Sequence, residues 1–295
     1  MHQRRGAIQR GIRSLVTVAG LLTTGVTVAA QEIGDMPMGA AGGAAAPRPP
    51  AESLATAPQV KAYLASVPEG RIPDLRGLDL SRLDLRTVDF RKADLTGARL
   101  VDARLDSANL FSSDLTDAVA TGASFAGANM DVSTLRRADL RKANLRNASL
   151  FATIIEAADL READLGGVRL IGYLRKANLA GASLAGANAG ADPGNQSMGV
   201  MRAQFTNADL TGANLEGANL FKADFSFAVL ADANLADANL RNSDLVQTDF
   251  SRADLSNVDI AFADIRGATF TGARGIASLK GLSQARNRDQ AVFDP

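Results

Sequence analysis

The stretch that decides the fold spans residues 208–220 and reads ADLTGANLEGANL. It repeats a five-residue unit in which alanine, then aspartate or asparagine, then leucine precede two variable positions. A period of five suits neither ordinary element, because successive leucines would lie about 140° apart around an α-helix and on opposite faces of a flat strand. The leucines can share one interior only if the chain turns a corner every five residues.

The same period runs through most of the 295-residue chain. Apolar residues, which we call centres, recur at every fifth position from Leu75 to Leu170 and again from Phe205 to Phe270. Four such sides close a square coil of about twenty residues, and stacked coils can pair their backbone groups at a spacing of about 4.8 Å. We therefore predict an all-β solenoid whose centres point inward.

Two further features of the unit agree with a narrow coil. An alanine two positions before each centre leaves room for it, whereas a second leucine there would overpack the layer. Aspartate or asparagine beside the centre suits a corner, because its short side chain can bond to its own nearby backbone. Residues twenty positions apart should stack in successive coils, so we expect Phe205 to lie against Phe225 and Phe250 against Phe270.

Over residues 73–275 the chain resembles the pentapeptide-repeat family, whose unit is A-(D/N)-L-x-x. The resemblance implies a right-handed quadrilateral β-helix, which we place at residues 71–275. Both ends of such a coil expose unpaired backbone and apolar layers, so we expect short helical caps. We place a capping helix at residues 58–70 and a cap and tail at residues 276–295. The resemblance also leaves open a homodimer formed through the C-terminal end.

The period breaks twice. Leu170 is followed by a centre after four residues, and Ala189 is separated from Phe205 by sixteen. Proline, glycine and asparagine between the last two predict a surface loop at residues 190–202. The loop is either a harmless insertion or a recognition element, since loops on rigid scaffolds often carry binding. Its apolar candidates for a partner contact are Met198 and Met201.

The first 30 residues have the layout of a secretory signal peptide. Four arginines precede an apolar stretch at residues 15–22, and small residues stand just before Gln31. We expect cleavage after Ala30 and export to the periplasm or the medium. An uncleaved anchor is the alternative, but the apolar stretch is shorter than the ~20 residues that a span needs. Residues 31–57 are rich in alanine, glycine and proline, which predicts a flexible linker.

The composition offers little to catalysis. The sequence has no cysteine, and its only histidine is His2. Aspartates are numerous but recur at one position of the unit, where a role in the corner explains them. We therefore predict no enzyme activity and assign no catalytic, cofactor-binding or metal-binding residue. Basic and acidic residues number 32 each, which is not the charge balance of a nucleic-acid binder.

Two groups of outward-facing residues are candidate protein contacts. One is an apolar column, because Phe111 and Phe151 each follow a centre two coils apart, with Ile171 beyond them. The other is a basic cluster, which is either an ordinary charged surface or a patch for an anionic surface or acidic partner. Its members are Arg136, Arg137, Arg141, Lys142 and Arg146.

These observations favour an exported, non-enzymatic protein-interaction or scaffolding module with an unidentified protein partner. The best-known activity of the family that the chain resembles is inhibition or protection of DNA gyrase by a rod that mimics DNA. A DNA-mimicking modulator of gyrase or topoisomerase is therefore one alternative, against which the neutral charge and the expected export argue. Binding of an anionic surface through the basic cluster is the other.

Overall fold

The computed structural model describes residues 43–50, 54–191 and 201–294. The signal peptide expected at residues 1–30 lies outside them. From Asp74 onward the chain winds in a coil whose parallel bridges join residues twenty positions apart along most of its length. Four ladders of such bridges run along the coil. We name the sides that carry them A, B, C and D after their first residues, which are Asp74, Asp79, Asp84 and Asp89.

The interior is a column of centres flanked by alanines. Every centre from Leu75 to Phe270 is at most 1% exposed. The aromatic rings stack as predicted, with centroids 4.5 Å apart for Phe205 and Phe225 and 5.2 Å apart for Phe250 and Phe270. Burial of each large centre contributes about 1.5–3 kcal/mol. Stability therefore accumulates coil by coil rather than from one central core.

Each corner is turned by the two residues that follow a centre. At nearly all corners the second adopts a left-handed conformation, with φ of 65° at Gly212 and 58° at Asn242. The aspartate or asparagine before the centre accepts a hydrogen bond from the backbone N–H of the first corner residue, as Asp114 does from Thr116 at 2.8 Å. This bond is the role expected for these side chains. The left-handed corner explains the frequent glycine there and does not follow from the five-residue period.

The four-residue step after Leu170 lies at a corner between sides D and A. There β1 (Ser149–Ile154) and β2 (Arg169–Tyr173) form a parallel pair that continues through the corner. Their pairing is irregular, so that Thr153 lies opposite Gly172. A Cβ at position 172 would lie 2.4 Å from the carbonyl oxygen of Thr153. Only glycine fits this close approach of two backbones.

The sixteen-residue step from Ala189 to Phe205 holds eleven residues more than a five-residue side. Ala191 donates its backbone N–H to the next coil, as the second corner residue does elsewhere, and Ala203 resumes the regular ladder bonds. The additional residues are therefore 192–202.

The loop predicted at residues 190–202 consequently begins two residues too early. Gly190 and Ala191 are both buried, and Ala191 keeps the hydrogen bond of a second corner residue. Residues 192–200, with Met198 among them, lie outside the described part of the chain.

The N-terminal end of the coil is covered by a helix. Helix α1 (Ala57–Ser66) buries Val60 completely, and Leu54 just before the helix is buried with it in the core. The hydroxyl of Tyr63 accepts a 2.9 Å hydrogen bond from the backbone N–H of Asp74, the first ladder residue of side A. The helix therefore supplies both apolar cover and a hydrogen-bond partner to the first coil.

The flexible linker predicted at residues 31–57 is wrong for residues 43–50. Ala45 forms a parallel bridge with Ile72 at the start of the coil. A Cβ on Gly43 would lie 2.3 Å from a carbonyl oxygen of the facing backbone. Alanine and glycine bury little area, which suggested a linker, but their small size is what permits this close contact.

The C-terminal end is closed by one more coil, whose ladder residues are six positions apart: Arg274, Lys280, Arg286 and Val292. Three 3-10 helices form parts of its sides: Ile276–Ser278, Leu282–Gln284 and Arg288–Gln290. Phe293 stacks on Phe270 with centroids 4.7 Å apart. The coil thus continues to Val292, where the sequence predicted its end at residue 275. Within the described ranges, no helix is long and apolar enough to cross a membrane.

Candidate binding surface

The predicted apolar column does not form. Phe111 is 38% exposed, but the guanidinium of Arg169 lies 4.2 Å from the ring centroid of Phe151 and covers it. Asp131 lies on the coil between the two phenylalanines. Its carboxylate accepts a hydrogen bond from the backbone N–H of Phe151. Ile171 is only 2% exposed, so the expectation that it faces solvent is wrong. The reason is the shortened corner, where β2 continues as a strand instead of turning outward.

The predicted basic cluster is not one patch. Its five residues are neighbours in sequence, but the chain turns a corner every five residues, so they lie at three successive corners of one coil. Each of them is also within ion-pair distance of a carboxylate. The pairs are Arg136–Glu156, Arg137–Asp117, Arg141–Asp139, Lys142–Glu162 and Arg146–Asp164. This part of the wall therefore presents paired rather than free positive charge.

A different surface stands out where sides D and A meet in the C-terminal half. A groove of about 560 Å³ runs along this corner. We call it the corner groove. Its lining residues are Arg202, Lys222, Asn242, Phe262 and Arg286. Of the candidates taken from the sequence, only Met201 lies next to it in the chain, and its side chain is half-buried.

Three of the lining residues owe their position to the repeat. Lys222, Asn242 and Phe262 each stand two residues after a centre of side D, with φ of 61°, 58° and 63°. They therefore occupy the same left-handed corner in three successive coils. The other two residues come from departures from the repeat. Arg202 ends the eleven-residue insertion, and Arg286 opens the third side of the six-residue coil.

Two aspartates of side A hold the arginines in place. The Nη1 atom of Arg202 lies 2.6 Å from Oδ2 of Asp244, and its Nη2 atom lies 3.5 Å from Oδ2 of Asp224. Arg286 lies 3.6 Å from the other oxygen of Asp244. Both carboxylates stand beside the groove and are not part of its lining. The groove itself therefore presents two arginines that are ion-paired with carboxylates beside it, one lysine, one amide and one aromatic ring.

Phe262 presents an aromatic ring at a left-handed corner, a conformation that it shares with many other non-glycine corner residues of the coil. Its side chain is 46% exposed, and the guanidinium of Arg241 lies 5.6 Å from its ring centroid. Phe227, at another corner, has the same conformation with φ of 61° and is 54% exposed. A phenylalanine two residues after a centre was visible in the sequence, but its meaning depends on the left-handed corner.

The described residues hold no group of three or more histidine, cysteine, aspartate or glutamate side chains that could bind a metal ion. Hydrogen bonds from arginines lower the pKa of several aspartates among the described residues, and hydrogen bonds from Ser81 and Ser256 lower the pKa of Asp79 and Asp254. The bidentate contact with Arg86 lowers the pKa of Asp84 to about 2, and a hydrogen bond from Arg141 lowers the pKa of Asp139. Both are aspartates of the unit paired with the first corner residue.

The coil, its ladders and its filled interior define a right-handed quadrilateral β-helix built from five-residue units. The family model for pentapeptide repeats matches residues 74–110, 113–150, 201–235 and 233–272, with eight copies in all. The chain belongs to the pentapeptide-repeat family.

Among solved structures the chain is similar to HetL, a pentapeptide-repeat protein involved in heterocyst differentiation regulation from the cyanobacterium Nostoc sp. strain PCC 7120. The identity is 27% over 74% of this chain and 86% of HetL, with a TM-score of 0.41. It is also similar to full-length QnrB1, a plasmid-mediated fluoroquinolone resistance protein, at 20% identity over 71% of this chain and 92% of QnrB1, with a TM-score of 0.41. No curated protein matches the sequence.

Proposed function

We propose that this chain is an exported, non-enzymatic protein-interaction module that binds its partner on the wall of the coil. The observation that carries the proposal is the corner groove. Two residues from departures in the repeat, Arg202 and Arg286, meet there with the exposed ring of Phe262.

The physics of the coil favours binding over catalysis. Its interior is filled by centres and alanines, so the surface available to a partner is the wall. Arginine and exposed aromatic residues are the side chains most enriched at the energetic centres of protein interfaces. The corner groove combines both types on a scaffold whose backbone is held by ladder bonds on every side. A rigid scaffold lowers the ordering cost of association.

The distribution of charge on the wall of the coil gives less support to a protein that mimics DNA. Residues 71–176 carry 17 basic and 15 acidic side chains, whereas residues 203–270 carry 4 and 10. Only the second segment is acidic, and ion pairs such as Arg252–Asp232 and Arg241–Asp259 neutralise part of it. A mimic of a continuous phosphate backbone would need negative charge along its whole length.

Export is the part of the proposal that rests on residues 1–30 alone. The basic start, the apolar stretch and the small residues before Gln31 support cleavage after Ala30. The test is to express the full chain in a bacterium, separate the periplasm and the medium from the cytosol, and determine the N-terminus by mass spectrometry. We expect Gln31 as the first residue of exported protein. Full-length protein confined to the cytosol would contradict the proposal.

The binding role is tested by affinity capture. The protein is immobilised and exposed to an envelope fraction, and retained proteins are identified with and without 0.5 M salt. We expect a partner that is retained specifically and eluted by competition with free protein. Measurable turnover of a substrate by the purified chain, with no retained partner, would contradict a binding role.

A further inference from the structure

We propose that the corner groove binds a short acidic peptide segment that carries an aromatic side chain next to its carboxylates. This inference rests on the proposed interaction role and names the chemistry of the partner at that site.

The side chains that line the corner groove are rich in positive charge. Arg202, Lys222 and Arg286 supply guanidinium and ammonium N–H donors, and among the described residues no carboxylate lines the groove. The two arginines are already oriented by Asp224 and Asp244. A guanidinium has five N–H donors, so each arginine retains donors for a bidentate contact with an incoming carboxylate.

Among the three cationic side chains of the groove, Lys222 is the one that does not lie in an ion pair among the described residues. Among the described residues no carboxylate lies within 4.0 Å of its ammonium, which instead lies 5.3 Å from the ring centroid of Phe221. The ammonium is therefore the group in the groove with most to gain from an acidic partner. A half-buried cation beside an aromatic ring interacts with an incoming carboxylate more strongly than a fully hydrated one.

The corner groove also has an aromatic side chain in its lining. Phe262 is exposed at the rim of the groove and lies next to the guanidinium of Arg241. An aromatic side chain of the partner can stack on this ring or meet it edge to face. The volume of about 560 Å³ falls in the range of sites that hold small ligands or anchoring side chains.

The surroundings restrict the length of the anion. Side A next to the groove carries Asp224, Asp244 and Asp264, and residues 203–270 have six more acidic than basic side chains. A long polyanion such as a nucleic acid would be repelled outside the groove, whereas two or three carboxylates would lie within it. The geometry therefore favours a short acidic segment of a protein.

The test uses the full chain and three synthetic tetrapeptides in calorimetric titrations at low salt. The first is acetyl-Glu-Phe-Asp-Phe-amide. The second has alanine in place of both phenylalanines, and the third has lysine in place of both acids. We expect the first peptide to bind best, its affinity to fall with added salt, and the third to show no binding.

Matched variants locate the binding. Phe262→Asn removes the ring, and Phe227→Asn makes the same change at an equivalent left-handed corner outside the groove. Asparagine tolerates this conformation, so both variants should melt at or above the temperature of the unchanged protein. We expect Phe262→Asn and Lys222→Asn to lower the affinity for the first peptide by about tenfold or more. The affinity of Phe227→Asn should stay within about twofold of that of the unchanged protein.

Three outcomes would overturn the inference: no binding of the first peptide at millimolar concentration, equal binding by Phe262→Asn and Phe227→Asn, or preference for the lysine peptide or for DNA. A partner captured from the envelope fraction equally by the unchanged protein and by Phe262→Asn would also overturn the groove assignment. That last result would leave the proposed interaction role standing.

Discussion

The hydroxyl of Tyr63 accepts a hydrogen bond from the backbone N–H of Asp74 at 2.9 Å and so takes the place of a coil that would precede the first one. In the coils that follow, the equivalent N–H donates to a carbonyl oxygen of the preceding coil, as Asp94 does to Pro73. The helix cap therefore completes the ladder as well as covering the apolar layer. Burial raises the pKa of Tyr63 above its ordinary value.

Tyr63→Phe should destabilise the N-terminal end of the coil. The substitution keeps the ring but leaves the Asp74 N–H without its acceptor, at a cost of about 1–3 kcal/mol. Amide hydrogen exchange should show faster exchange at Asp74 and its neighbours, with no change in the coils near Phe250. Unchanged exchange at Asp74 would mean that this bond does not hold the cap.

The inside and outside of the coil should differ sharply at adjacent positions. Leu140→Asp places an unpaired charge in a filled layer and should cost more than about 4 kcal/mol or prevent folding. Arg141→Asp introduces the same residue one position later, on the surface, where loss of its ion pair should cost about 1 kcal/mol or less. Thermal melts of the two variants give the comparison, and similar losses in both would contradict the register.

The insertion should be removable in one register only. Deletion of residues 192–202 reduces the sixteen-residue step between Ala189 and Phe205 to five, so the coil should close and the melting temperature should barely change. Deletion of residues 191–203 leaves three residues for a side that needs five and should unfold the neighbouring coils. Circular dichroism melts distinguish the two deletions. A collapse of the first would show that residues 192–202 belong to the coil.

Acid should destabilise the coil over a defined pH range. The pKa of Asp84 is lowered to about 2 by its contact with Arg86, and the pKa values of Asp74 and Asp139 are lowered by Arg76 and Arg141. Because these folded-state pKa values lie below the ordinary value of 3.8, the stabilisation is present above about pH 4 and is lost as the pH falls towards 2.

Melting temperatures measured from pH 7 to pH 2 check this expectation. They should be level at the upper end and fall below about pH 4. Asp84→Asn keeps an acceptor for the backbone N–H of Arg86 but has no charge to lose. The melting temperature of this variant should therefore fall slightly less steeply below about pH 4. A melting temperature that stays constant down to pH 2 would contradict the role of these pairs.

Much of the fold could be predicted from the sequence because one physical requirement repeats every five residues. The inward direction of Leu140 and the stacking of Phe205 on Phe225 both follow from that period. The last coil could not be read in the same way. Its ladder residues are six positions apart, so Arg286 falls outside the pattern that located the others.

The candidate surface was harder to predict than the fold. Ile171 was expected to face solvent, but one missing residue at its corner keeps it in strand β2. Arg136 and Arg146 were expected to share a patch, but corners between them separate residues that are close in sequence. The corner groove depends on contacts between Arg202 and Asp244, forty-two positions apart, which no local pattern reveals.

Binding of a protein partner through the corner groove requires that the partner contact Phe262. The most direct measurement is photo-crosslinking in living cells with benzoylphenylalanine incorporated in place of Phe262, and separately in place of Phe227 as the matched control. We expect a discrete crosslinked adduct from position 262 and none, or far less, from position 227. Adducts of equal yield from both positions, or from position 227 alone, would contradict it.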